Sequence, residues 1–186
     1  METIVQRFER FKREPRDINE HLNTLFIYAS KPEINVIVEL GVNEGVSTSA
    51  FCLAVQKFPK KEFFTYDVHV EKTFDQLLKM CKEEEVKINF TMQDDLTIEI
   101  PDCDLLFIDT NHVGEHLRKE LALHGNKSRK YIIFHDTETF GKVGLYPGTE
   151  GLQQPINDFL KENKCWELKK HFPNNNGLTI LEKVGN

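Results

Sequence analysis

Five short apolar runs rich in β-forming residues, most of them separated by stretches of helical periodicity, constrain this chain more than any other feature. The runs lie at residues 36–40, 63–67, 88–91, 105–109 and 131–135. Between them, 46–56, 74–84 and 115–124 carry apolar residues three and four positions apart, as Leu77, Leu78 and Cys81 do in the second. That alternation predicts a parallel sheet with crossover helices, which are right-handed by default. Ahead of the first run, Ile18, Leu22, Leu25 and Phe26 predict an extra helix over 18–28 that packs on the sheet. The first fifteen residues, where charges alternate, are expected to fray.

After the fifth run the rhythm breaks. Gly141, Gly144, Pro147, Gly148 and Gly151 punctuate a loop at 141–151 of the long, glycine-rich kind that carries function, and helix resumes over 152–162. Two last runs, 166–171 and 178–183, flank the turn sequence Pro173-Asn174-Asn175-Asn176-Gly177 and predict an antiparallel hairpin. No repeat or linker interrupts the 186 residues. The expectation is one α/β domain over 1–186: a doubly wound, Rossmann-like, mostly parallel seven-stranded sheet, closed by the hairpin, with helices on both faces and an N-terminal helical extension at 1–30.

Charge and cysteine usage narrow the partners. Thirty acidic against 24 basic residues leave a net charge of −6, which argues against nucleic acid and against an anionic membrane surface. Cys52, Cys81, Cys103 and Cys165 are scattered without a C-x-x-C pair, as in a protein of the reducing cytoplasm. No apolar run is long enough to cross a bilayer, and residues 1–16 lack the apolar stretch of a signal peptide, so the expected location is cytoplasmic.

The first run leads into Glu39-Leu40-Gly41-Val42-Asn43-Glu44-Gly45-Val46-Ser47-Thr48, with two glycines four residues apart where a strand turns into a helix. Glycine permits positive φ and close approach of a ligand, and the helix N-terminus, with Ser47 and Thr48 beside it, suits an anionic group. The sequence has neither the G-x-G-x-x-G of a dinucleotide site nor the G-K-[ST] of a phosphate loop. Glu39, Gly41 and Gly45 instead resemble the E/D-x-G-x-x-x-G motif of class I S-adenosylmethionine-dependent methyltransferases. The resemblance implies that this loop, with Glu39, Gly41, Gly45, Ser47 and Thr48, lies against the methionine part of S-adenosyl-L-methionine. It further implies that Asp67, ending the second strand, binds the ribose hydroxyls, and that Asp94 or Asp95 meets the adenine amino group.

A second constellation follows. The fourth run ends Phe107-Ile108-Asp109-Thr110-Asn111-His112 and the fifth ends Phe134-His135-Asp136. In a doubly wound sheet these strands are neighbours at the crevice where such folds bind ligands, so Asp109 and Asp136 can share one ion. His135 and Asp136 converge only if the strand has ended there. This stretch resembles the small O-methyltransferases with F-I-D-x-x-H and a later His-Asp pair, a branch that includes sugar- and antibiotic-tailoring enzymes of the cephalosporin and macrolide type. The resemblance implies a divalent ion, Mg²⁺ or Mn²⁺, on Asp109, His135 and Asp136, with Asp109 beside the cofactor as well. Imidazole in the set favours Mn²⁺, Fe²⁺ or Zn²⁺ over Mg²⁺.

An aliphatic hydroxyl is too weak an acid to ionise near neutrality, so its methylation calls for a base or a cation. His112 or His135 is the expected base, with Asp109 completing the catalytic set, and 141–151 the expected lid over the acceptor. The acceptor implied is a small hydroxylated molecule of the sugar or nucleotide-sugar kind; a homo-oligomer is compatible with the sequence. A cofactor-binding domain without catalysis and an NAD-dependent oxidoreductase are the competing readings, the latter weakened by the missing third glycine. His116, His124 and His171 are expected at the surface. The 173–177 turn is expected to reach toward the crevice.

Overall fold

A computed structural model describes residues 2–69 and 71–185. The elements run α1 (Ile4–Phe11), a 3-10 turn (Asn19–His21), α2 (Leu22–Ser30), β1 (Val36–Leu40), α3 (Val46–Lys57), β2 (Glu62–Asp67), α4 (Lys72–Glu83), β3 (Asn89–Met92) and β4 (Cys103–Ile108). They continue with α5 (Gly114–His124), a second 3-10 turn (Gly125–Lys127), β5 (Ser128–His135), α6 (Gln153–Glu162), β6 (Trp166–Phe172) and β7 (Leu178–Lys183). The seven strands form one sheet in the order β3-β2-β1-β4-β5-β7-β6. The first five are parallel, and β7 pairs antiparallel with both β5 and β6.

The central strands are apolar on both faces because both are covered. Alternation divides their side chains: Ile37, Leu105, Phe107 and Ile133 face a core built with α1 to α4, whereas Val38, Leu106, Ile108, Ile132 and Phe134 face α5 and α6. Phe51 of α3 packs on Phe107 and on Phe63 at ring distances of 5.6 and 5.5 Å. The strand order reverses direction between β1 and β4, which opens a crevice at their carboxyl ends.

The N-terminus differs from expectation. Residues 4–11 do not fray: Thr3 caps α1 through a capping box with Gln6, and Ile4, Phe8 and Phe11 are buried on α3 and α4. Charges alternate along this segment because they occupy its outer face, with one exception. Arg7 is buried and donates to the carbonyls of Glu44 and Thr73, tying α1 to the loop after β1. The helix expected over 18–28 begins later, since Asn19–His21 forms a 3-10 turn before α2.

Candidate active site

At the end of β1 the chain turns sharply. Gly41 has φ +87°, and a Cβ there would stand 1.9 Å from the main-chain oxygen of Asp109. Glycine is required because the tips of β1 and β4 touch. Gly45 has φ +75°, and a Cβ would press on Phe74 and Leu77 of α4 at 2.9 and 3.2 Å. Both glycines therefore answer to protein packing. Gly41 also lines a cavity of about 470 Å³, whose walls do not include Gly45.

Glu39 lies beneath this turn, where strand alternation aims it at α3. It is fully buried and accepts hydrogen bonds from Ser47 Oγ (2.7 Å), Thr48 Oγ1 (2.9 Å) and Thr65 Oγ1 (2.7 Å). Burial pushes its carboxyl up to about 7 against the pull of those hydroxyls. The expected cofactor contacts of Glu39 and Thr48 are thus corrected: neither has surface to offer. Ser47 has its hydroxyl committed to Glu39 and only edges a side pocket that adjoins the cavity.

The cavity lies over the carboxyl ends of β1 to β4 and is of the size that takes a small ligand. A roomier open hollow of about 710 Å³ lies at the amino ends of β2 and β3, among Lys60, Lys82 and Lys87, away from the convergent acids. Asp67, Asp94 and Asp95 all line the cavity. Asp67 Oδ2 accepts from the amides of Val42 (2.8 Å) and Asn43 (2.9 Å), which clamps the loop after β1. Asp94 accepts from the Leu96 amide at 2.8 Å. Asp95 pairs with His116 Nε2 at 2.8 Å, and His124 Nε2 donates to its carbonyl.

Two histidines expected at the surface are thereby corrected. His116 lines the cavity and His124 is buried behind it, both drawn in by Asp95, a long-range pairing that local spacing does not encode. His171 is half-buried and pairs with Glu138 at 2.7 Å. Asp17, from the segment between α1 and α2, also lines the cavity; no motif marks it.

The strongest cluster stands where β4 meets β5. Asp109 follows the last residue of β4, and Asp136 follows β5 with φ +58°. That left-handed residue turns the chain so that successive side chains converge. His135 Nδ1 sits 3.3 Å from Asp109 Oδ2 and 3.6 Å from Asp136 Oδ2. His112 Nε2 sits 2.8 Å from Asp136 Oδ2 and 3.3 Å from Asp109 Oδ1, its ring stacked on Phe140 at 4.6 Å.

The two histidines differ in access. His135 is fully buried; its Nε2 donates to the carbonyls of Asp17 (3.1 Å) and Asn175 (3.2 Å), so the 173–177 turn buttresses the site. His112 is partly open and lines the cavity. Burial opposes its charge, but hydrogen bonds to Asp109 and Asp136 and their charges prevail and push it up to about 10. The same contest, led by the Asp109 charge, raises His135 to about 9. The histidines in turn hold the partly buried Asp109 well below the usual carboxylate range, against the opposing pull of desolvation.

At these tips Asp109, His112 and Asp136 each bring one ligand atom within 4.8 Å of the others, and His135 Nδ1, the nitrogen expected in the set, faces the same two carboxylates. His135 Nδ1 and Asp136 Oδ1 are nevertheless buried without a hydrogen-bond partner among the described residues.

An open parallel sheet with an antiparallel final pair, and a ligand crevice at the β1/β4 reversal, defines the class I methyltransferase fold. Residues 38–137 match the family model described as a methyltransferase domain, and the chain belongs to that family. The fold is shared with SAH-bound methyltransferase PaMTH1 of Podospora anserina (16% identity, TM-score 0.67, 98% of this chain and 88% of that one). It is also shared with O-methyltransferase TomG of Streptomyces achromogenes, involved in tomaymycin synthesis and solved with SAM (18%, 0.61, 90% and 81%). A SAM-dependent O-methyltransferase of Thermotoga maritima aligns at 14% identity and TM-score 0.67 over 99% of this chain and 72% of that one. No curated protein matches the chain.

Proposed function

We propose that the protein transfers the methyl group of S-adenosyl-L-methionine to a hydroxyl of a small acceptor, of the sugar or nucleotide-sugar kind. The observation that carries this reading is the convergence of Asp109, His112, His135 and Asp136 at two adjacent strand tips, in the wall of the cavity that Gly41 and Asp67 also line. Asp67 offers the carboxylate for ribose hydroxyls, and Asp94 and Asp95 stand further along for the purine.

The donor set at the β4 and β5 tips fits a divalent ion, because two carboxylates and two imidazole nitrogens face one another and two of their buried atoms lack partners. Asp109 and Asp136 would hold it with His112 or His135, and the mixed nitrogen and oxygen set suits Mn²⁺, Fe²⁺ or Zn²⁺ better than Mg²⁺. When bound, such an ion would offset the charges of Asp109 and Asp136 and would stabilise a developing alkoxide. With His135 Nδ1 as the nitrogen ligand, His112, the histidine with open surface, would keep its Nε2 lone pair for the hydroxyl proton. His135 orients Asp109 from behind. The 141–151 loop is stitched to this segment, since Leu145 N–H donates to His112 O and Gly114 N–H to Glu150 O. Its exposed Val143, Leu145 and Tyr146 stand ready to cover an acceptor.

Transfer of a labelled methyl group to a panel of hydroxylated acceptors tests the reading. Asp136→Asn is expected to lower turnover about a hundredfold or more. Undiminished turnover in excess chelator removes the ion, and activity retained in a His112→Ala, His135→Ala protein removes the base. Binding of S-adenosylhomocysteine without turnover on any acceptor favours a non-catalytic domain.

A further inference from the structure

We propose that Asp95, His116 and Glu120 form a second cation site, for a borderline divalent transition ion of the Zn²⁺ type, at the cavity wall that Asp95 and His116 line. The site shares no ligand with the cluster at Asp109; it engages Asp95 and so rests on the reading in which Asp94 meets the purine.

The placement is built by three elements. His116 and Glu120 stand four residues apart on α5 and therefore share one face. Asp95 reaches them from the loop after β3, and Thr110 approaches from the tip of β4. His116 Nε2 lies 2.8 Å from Asp95 Oδ2 and 4.0 Å from Glu120 Oε1, within what two ligands at about 2.1 Å from a common centre span. One ligand atom from each residue falls within 4.8 Å of the others.

Glu120 is the telling residue. Its side chain is fully buried, Oε1 accepts from the Thr110 hydroxyl at 2.7 Å, and Oε2 has no partner among the described residues. A buried carboxylate is costly unless compensated; among the described residues no Lys or Arg pairs with Glu120, and its one titratable cationic neighbour, His116, stands 4.0 Å away and is already engaged with Asp95. Either a proton shared with Asp95 or a cation satisfies it. The surroundings favour the cation. Thr110 fixes one oxygen of Glu120, and His124, donating to the Asp95 carbonyl at 2.7 Å, fixes the loop that carries the second carboxylate. Such outer hydrogen bonds orient metal ligands. One imidazole with two carboxylates is a zinc-type set, whereas Mg²⁺ demands mostly oxygen and water.

Zn²⁺ binding by the full-length Asp109→Asn, Asp136→Asn protein, followed by equilibrium dialysis with elemental analysis, isolates this site from the first. One ion per chain is expected, and adding Glu120→Gln or His116→Ala is expected to weaken binding at least about tenfold, with far-UV circular dichroism unchanged. Co²⁺ in place of Zn²⁺ is expected to give visible absorption that both additions abolish. Should the double variant not fold, the native protein serves, with loss of one equivalent on Glu120→Gln as the expected result. No Zn²⁺ bound, or binding indifferent to Glu120→Gln and His116→Ala, means that a shared proton satisfies Glu120 and overturns the proposal.

Discussion

Glu39 offers a quantitative test of what the acidic residue of the first turn does. Its carboxyl moves from 4.5 to about 7 on burial, where it is sealed from solvent. Between those two values the folded chain holds a proton that the unfolded chain has released. Stability therefore falls as pH rises from 4.5 and levels off above 7, by about 3 kcal/mol in all. Glu39→Gln keeps the shape and removes the titration. Urea unfolding of both proteins from pH 5 to pH 8 is the assay, and the difference between the two curves isolates Glu39 from every other ionising group. Relative to the variant, the native protein is expected to lose about 2 to 3 kcal/mol across that window. Parallel curves would refute the burial argument and return Glu39 to a solvated role at the ligand.

Three further outcomes are expected. Gly41→Ala should destabilise by upward of about 2 kcal/mol, since a Cβ meets Asp109 O in a left-handed backbone, and a loss under about 0.5 kcal/mol in a urea titration would contradict that contact. Phe8→Ala should cost about 3 kcal/mol or more because α1 is packed; a frayed segment would lose almost nothing. In metal-free protein, the His112 ring is expected to stay protonated by NMR until pH approaches 10, so its contribution to stability is complete below 6.5 and lost as pH rises through the folded value; a midpoint near 6.5 would show that Asp109 and Asp136 do not hold it.

The sheet was legible because its central strands are apolar on both faces and the helices between them amphipathic, features that local periodicity carries directly. The positions of Asp109, Asp136 and Asp67 followed from strand ends alone. What escaped depends on contacts across the chain. The Thr3-x-x-Gln6 capping box and the Ile4, Phe8, Phe11 spacing do mark α1, but alternating charges mask them. Glu39 reads as a ligand contact until its three hydroxyl partners are seen, two of them on α3 and one on β2. That both His112 and His135 face the two carboxylates turns on the φ of Asp136 and on the 173–177 turn, which reaches His135 from 40 residues away. His116 and Glu120 share a helix face in the sequence, yet only folding brings Asp95 beside them.

Calorimetry with S-adenosylhomocysteine and, separately, with NAD measures the central claim most directly. One S-adenosylhomocysteine per chain, weakened at least about tenfold by Asp67→Asn, with no heat from NAD, is the predicted result. Binding of NAD at comparable strength, or of S-adenosylhomocysteine unaffected by Asp67→Asn, would contradict a donor seated between the β1 turn and the β4 and β5 tips.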